Sequence, residues 1–178
     1  MKPKTSRTRR AARTLSHLEP ASKGRSARMV DVSRKPVSAR SAIARAALVF
    51  PPGVLACVLA AQGPKGPVEE VARAAGFLAA KRTGELIPMC HPLGLEHLAI
   101  EFTRAGPDRL ELTCRAACRG RTGVEMEAML GAALAALTVY DMSKGLDHGI
   151  RIEALELLEK RGGRSGTWRS KARKEGRS

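Results

Sequence analysis

Asp141 and Lys144 are three residues apart, a spacing that puts a carboxylate and an ammonium side by side on one face of a helix. Such a pair can hold and move a proton, because each charge shifts the other's pKa. The same spacing also suits a plain surface ion pair. Two further carboxylates, Glu125 and Glu127, lie upstream. Thr122 with Glu125 fits a capping box, which would give that carboxylate a structural role instead of a chemical one. Between the two ends, Met126, Leu130, Leu134 and Leu137 recur among alanines, and the pattern predicts a single helix over residues 121–144. On a straight helix Glu127 and Asp141 are separated by on the order of 21 Å, at ~1.5 Å per residue. One chain can hardly bring both to a small ligand. Either one end works alone, or a site is assembled from two chains that supply opposite ends.

Other residues are candidates by their setting. His91 follows Met89 and Cys90 in a stretch framed by Pro88 and Pro92, and the residue before a proline is pushed out of the helical region. The stretch is therefore a stiff bend that presents His91 to bind an anion or shuttle a proton. Lys81 and Arg82 close the helix predicted just before it, where positive charge suits the helix dipole. Lys65 sits in the loop Gln62-Gly-Pro-Lys-Gly-Pro67 between backbone-setting residues. Cys90, His91 and His97 lack the usual zinc-ligand spacings, so no metal is assigned.

The elements that must position these groups follow from turn signals and periodicity. Ser38 is read as the cap of a short Ala- and Arg-rich helix with Arg40 in its first turn, leading into a strand over 46–50. Pro51-Pro52-Gly53 ends that strand. Helices are predicted over 54–61 and 68–81, strands over 98–103 and 110–118 joined by a turn at 105–108, and a last strand from Ile150 towards Leu158. Cys114 and Cys118 fall on one strand face, where small buried thiols are ordinary. This order predicts a ferredoxin-like α+β fold, an antiparallel sheet with helices packed on one face. The other face is left for something to cover, and a second subunit would serve.

The net charge of +15 is carried by the ends. Residues 1–28 hold nine Lys and Arg against Glu19, residues 160–178 hold eight against Glu175, and the body between them has fifteen of each sign. Residues 1–28 and 167–178 are therefore expected to be disordered basic extensions flanking a domain over 29–166. An Arg- and Ser-rich start also suits an organellar transit peptide, ranked below a simple extension. No secretory signal or membrane span is visible, and four cysteines without a Cys-x-x-Cys pair fit a reducing compartment. The expectation is a cytoplasmic protein, or an organellar-matrix one if the N-terminus is a transit peptide. Basic tails leave a nucleic-acid-binding module as the alternative reading. The neutral body has no basic stripe, and Phe50, Phe77, Phe102 and Tyr140 do not cluster as a stacking platform, which makes nucleic acid the weaker choice.

Six motifs in register carry a resemblance. They are Met29-Val-Asp-Val-Ser33; Lys81-Arg-Thr83 with Glu85-Leu-Ile-Pro88; Cys90-His-Pro-Leu93; Thr122-Gly-Val-Glu-Met-Glu-Ala128; Leu137-Thr-Val-Tyr-Asp-Met142; and Leu158-Glu-Lys160 with Gly162-Gly163 and Ser165-Gly166. From Met29 to Gly166 the chain resembles the MoaC family of molybdenum-cofactor biosynthesis, the cyclic pyranopterin monophosphate synthases. The resemblance implies a lyase that converts 3',8-cyclo-7,8-dihydro-GTP to cyclic pyranopterin monophosphate with release of diphosphate. It implies a ferredoxin-like subunit in a homohexamer, a trimer of dimers with sites between subunits, and no cofactor or metal. By motif position the catalytic residues fall on Asp141, Lys144 and Lys65. The substrate-binding ones fall on Met89, Cys90, His91, Met126 and Glu127, with Arg40, Lys81, Glu125 and Lys160 as further polar lining. Three residues depart from the family pattern: Arg28 for a histidine, Gly84 for a larger residue, and Ser143 for a cysteine. Arg121 replaces a lysine, keeping charge but changing hydrogen-bond geometry.

Overall fold

A computed structural model describes residues 18–21, 24–60 and 67–171. Ahead of the body, β1 (Leu18–Ala21) and β2 (Gly24–Ala27) form an antiparallel hairpin within the segment expected to be a disordered extension. The body then runs β3 (Ser38–Val49), α1 (Val54–Ala60), α2 (Val68–Lys81), α3 (Thr83–Leu86), β4 (His97–Arg104), β5 (Arg109–Gly120), α4 (Glu125–Ser143), β6 (Arg151–Arg161) and β7 (Trp168–Arg169). Its sheet has the order β4-β5-β3-β6-β7 with every neighbouring pair antiparallel. The long strands with α2 and α4 between them follow the split βαβ order, the α+β arrangement expected from the sequence of elements. Two residues of the segment read as C-terminal tail extend this sheet: Trp168 and Arg169 lie along β6, and Arg169 donates to Glu159 at 2.6 Å.

The helix expected at Ser38 does not form. Residues 38–49 are one strand, paired over all twelve positions with β5 and over most of its length with β6. Alanine and arginine favour helix locally, but tertiary pairing overrides so weak a preference. Ala42, Ala44, Ala46 and Leu48 alternate towards the helices and are fully buried, and their small size lets α4 lie close on the sheet. Arg45, on the opposite face, bridges Glu111 of β5 at 3.2 Å and Glu156 of β6 at 2.6 Å, which ties three strands together on the half-open side.

α2 and α4 pack side by side over the other face, where Gly76 and Gly131 meet. A Cβ on Gly131 would lie 2.8 Å from Cys114 Sγ, so a larger residue would push the helix off the sheet. Against this crossing α4 buries Ala128, Ala132, Ala135, Ala136 and Val139. The core joins them to Leu110, Leu112, Ile100 and the thiols of Cys114 and Cys118, both buried as their spacing implied. Burial pushes the Cys114 thiol up to about 12.

Candidate active site

α4 starts at Glu125 and ends at Ser143, close to its expected span, but the capping box does not form. Val124 occupies the N-cap position and no side chain caps the first turn. Glu125 instead accepts a hydrogen bond from Lys160 Nζ of β6 at 2.7 Å, both side chains being partly buried. This charged pair stands where two adjoining cavities meet.

The less basic cavity, of about 550 Å³, is lined by Val30, Val32, Lys35, Ile87, Met89, Cys90, His91, Met126 and the turn Thr122-Gly123 that enters α4. The bend at residues 87–92 is extended at Ile87 and closes with a hydrogen bond from Cys90 N–H to Ile87 C=O at 2.9 Å, as its prolines require. Gly84 allows this bend to seat: a Cβ there would come within 3.0 Å of Pro92. Asp31 lies between the lining residues Val30 and Val32 and is exposed. The Ser33 N–H bonded to its carboxylate at 2.8 Å holds its pKa below the usual value, and the charges of Arg28 and His91 add to that.

Glu127 lies beneath this cavity and does not line it. It is only 2% exposed, its Oε2 has no partner, and its Oε1 is 4.0 Å from Cys90 Sγ. Burial, reinforced by the neighbouring Glu125 charge, pushes its carboxyl up to about 6, so it keeps its proton far longer than an exposed glutamate. The Cys90 thiol is raised by its own burial and by Glu127 and Glu125, which keeps it a neutral contact and not a nucleophile.

The second cavity, of about 810 Å³, is strongly cationic. Arg34, Lys35, Arg40, Arg121, Lys160 and Arg164 are on its walls, with Glu125 as the carboxylate facing them. It shares Lys35, Thr122, Gly123 and Glu125 with the first, so the two form one continuous depression at the N-terminal end of α4.

Asp141 and Lys144 are elsewhere. They stand exposed at the far end of α4, Lys144 Nζ donating to Asp141 Oδ1 at 2.6 Å, and line neither cavity. The Asp141 carboxylate holds Lys144 above the ordinary ammonium value, so within one chain Lys144 keeps its proton and stands as a cation. Lys81 is exposed at the end of α2 and also lines neither cavity. Lys65 lies outside the described residues. One chain thus brings together Met89, Cys90, His91, Met126, Glu127, Glu125, Arg40 and Lys160, and keeps Asp141 and Lys144 apart from them.

Among the described residues, no group of three or more His, Cys, Asp and Glu side chains forms a metal cluster, and Cys90, His91 and His97 do not converge. No helix there is long and apolar enough to cross a membrane. Phe50 is buried, Phe77, Phe102 and Tyr140 pack against the core, and Trp168 is exposed on β7, so among the described residues the aromatics do not cluster as a platform for bases.

A family model for the MoaC family matches residues 29–163. The chain belongs to the MoaC family. A relative from Chloroflexus aggregans named cyclic pyranopterin monophosphate synthase is 50% identical over 158 residues, which is 86% of this chain and 92% of the relative. Proteins of the same name from Novosphingobium aromaticivorans and Thermomicrobium roseum are 47% identical over 156 residues and 51% identical over 144. They span 88% and 80% of this chain and 97% and 87% of their own lengths. All the cavity residues named above, except Arg164, fall within the matched family region. Val30, Val32, Arg34, Lys35, Arg121 and Arg164 line the cavities without having been assigned a role from sequence. Val30 and Val32 lie inside the Met29-Val-Asp-Val-Ser33 motif, which was a signal for them, whereas Arg34, Lys35, Arg121 and Arg164 only border the motifs and nothing local marks them as one wall.

Proposed function

We propose that this chain is a cyclic pyranopterin monophosphate synthase. It converts 3',8-cyclo-7,8-dihydro-GTP to cyclic pyranopterin monophosphate and releases diphosphate. Family membership over most of the body and about 50% identity to proteins of that name support this reading. Forming a cyclic phosphate means that a sugar hydroxyl attacks the α-phosphorus while the bond to the departing diphosphate breaks. The hydroxyl proton must be taken up and the diphosphate charge held, which calls for a tuned acid/base pair and fixed cations.

The observation that carries the mechanism is the outer face of α4. Met126 (39% exposed), Leu130, Ala133, Leu134 and Leu137 (52% exposed) form an apolar stripe that the other described residues leave partly or largely uncovered. A helix apolar on all sides is a buried helix, so this stripe calls for a partner. It is bounded by the cavities at one end and by Asp141 and Lys144 at the other. A second copy laid antiparallel on it, about a two-fold axis near Ala133 and Leu134, brings the partner's Asp141 opposite Met126 and the partner's Lys144 opposite Gly123. Each dimer then holds two sites, each with the cavity of one chain and the acid/base pair of the other. In that setting Lys144 transfers protons and Asp141 orients it, while Met89, Cys90, His91 and Met126 enclose the substrate and Glu127 holds a proton beneath them. Three such dimers make the hexamer that the family resemblance implies. By motif position Lys65 is assigned to catalysis and Lys81 to substrate binding, and the body 29–166 is the functional domain. The working compartment is the cytoplasm.

Incubation of the full chain with the cyclised nucleotide is expected to give a pterin product and one equivalent of diphosphate. If neither appears under conditions where a known relative turns over, this reading is wrong.

A further inference from the structure

β6 is not a regular strand, and its irregularity decides where Lys160 points. Paired residues on neighbouring strands share a face of the sheet, and side chains alternate between faces along each strand. On β3, Ala42 and Ala44 are buried towards the helices, while Ile43 and Arg45 are on the half-open side. Arg45 pairs with Glu156, Ala44 with Leu157, Ile43 with Glu159 and Ala42 with Lys160, so Leu158 is an extra residue with no opposite number on β3. Such a bulge shifts the alternation by one position. With it, Lys160 is on the helix side, where its Nζ reaches Glu125 at 2.7 Å. Without it, regular alternation from Glu156 would put Lys160 on the half-open side, away from α4.

The chain then returns to brace this bulge. Gly162 and Gly163, with φ of +99° and +73°, take the left-handed backbone that the reversal after β6 requires. β7 pairs Trp168 with Lys160 and Arg169 with Glu159, and Ser170 N–H donates to Leu158 C=O at 2.8 Å. The braced positions are therefore the bulged residue and the two that follow it. A bulge disrupts the ladder on its own side, and β7 supplies hydrogen bonds from the other. Side chains reinforce the pairing: Glu159 accepts from Arg169 Nε at 2.6 Å with one oxygen and from Arg161 Nε with the other. Hydrogen bonds from Arg161 and Arg169 hold the Glu159 carboxyl below its usual value, so the tie stays charged at neutral pH. β7 lies beyond residues 29–163, the stretch that the family model matches.

Resting on the synthase reading above, we propose that β7 is a clasp that locks the Leu158 bulge and so aims Lys160 at the site. Arg169 and Glu159 are positioning residues. They line neither cavity and act through Lys160, which shares the backbone of Glu159 but projects from the opposite face.

Amide exchange and steady-state kinetics with the cyclised nucleotide, both on the full-length protein, test this. Arg169→Ala removes the side-chain tie, and Ser170→Pro removes the N–H that bonds Leu158 C=O while leaving Arg169 free to stay extended. In each variant the amides of residues 157–161 are expected to exchange faster than in the wild type, with those of residues 151–156 unchanged. KM is expected to rise about fivefold while kcat stays within about twofold, because the clasp serves a binding residue. Arg169→Lys, which keeps a cation beside Glu159, is expected to restore most of the wild-type KM. In a Lys160→Ala background, Arg169→Ala is expected to leave KM where Lys160→Ala alone puts it. A variant that only loses folded protein would lower the apparent kcat and leave KM unchanged. If exchange at residues 157–161 is unaltered in both variants, β7 does not hold the bulge. An unchanged KM, or an equal rise with and without Lys160, would show that the clasp does not act through that lysine. Failure of the wild type to turn over the cyclised nucleotide counts against the synthase reading, while the exchange measurement still decides whether β7 braces the bulge.

Discussion

Replacing Glu127 by glutamine should change the pH dependence of folding in a way that can be worked out from the structure. Burial raises the carboxyl from an ordinary 4.5 to about 6 in the folded chain, while the unfolded chain keeps the ordinary value. Below 4.5 the group is neutral in both states and makes no difference. Between 4.5 and 6 the unfolded chain releases its proton first, so stability falls as pH rises, and the fall is complete above 6. At ~1.36 kcal/mol per pKa unit the loss is about 2 kcal/mol. Glutamine cannot ionise. Whatever constant offset its amide introduces, the stability of Glu127→Gln minus that of the wild type should be about 2 kcal/mol larger at pH 8 than at pH 4. Urea unfolding at the two pH values measures the difference, and the titrating groups that do not interact with Glu127 cancel in it. A difference that does not vary with pH would mean that Glu127 is solvated or paired, and that the buried unpartnered carboxyl is a wrong description.

Two further perturbations test the packing. Ser143 is buried with an unpartnered hydroxyl, and such a group costs about 1–3 kcal/mol. Ser143→Ala should therefore raise the melting temperature by about 2–4 °C per kcal/mol recovered; a lower melting temperature would show that the hydroxyl is bonded. Gly76→Ala sets two effects in opposition. Helix propensity favours alanine by about 1 kcal/mol, but the new Cβ would lie 2.7 Å from Gly131 C=O and overlap Ile100. Overpacking at about 1–3 kcal/mol should win and lower the urea midpoint, and a raised midpoint would show that the two helices have room between them.

Much of this was legible in the chain because local and long-range preferences agree. α2, β4, β5 and α4 have strong periodicity and turns with clear chemistry, and they form close to where pattern places them. Ser38–Val49 misleads because its core-facing residues are mostly alanine, which carries almost no strand signal; only pairing on both sides makes it a strand. The capping box at Thr122 and Glu125 is a sequence match that loses to an ion pair with Lys160, 35 residues on and unrelated by any local spacing. The separation of Glu127 from Asp141 needed only the rise of a helix. The cationic cavity could not be read in advance, because Arg34, Arg121 and Arg164 come from three distant segments joined by the sheet.

The claim that each site takes one end of α4 from each of two chains is tested most directly by mixing variants. Lys144→Ala and Glu127→Ala are expected to be nearly inactive alone, since each removes one of the two ends. When subunits are exchanged, random pairing makes about half of the dimers mixed, and each mixed dimer has one intact site and one carrying both lesions. Activity should then rise towards a ceiling of about a quarter of the wild type. If mass measurement confirms exchange and activity stays at the level of the separate variants, then Glu127 and Lys144 do not act across two chains, and the shared site is refuted.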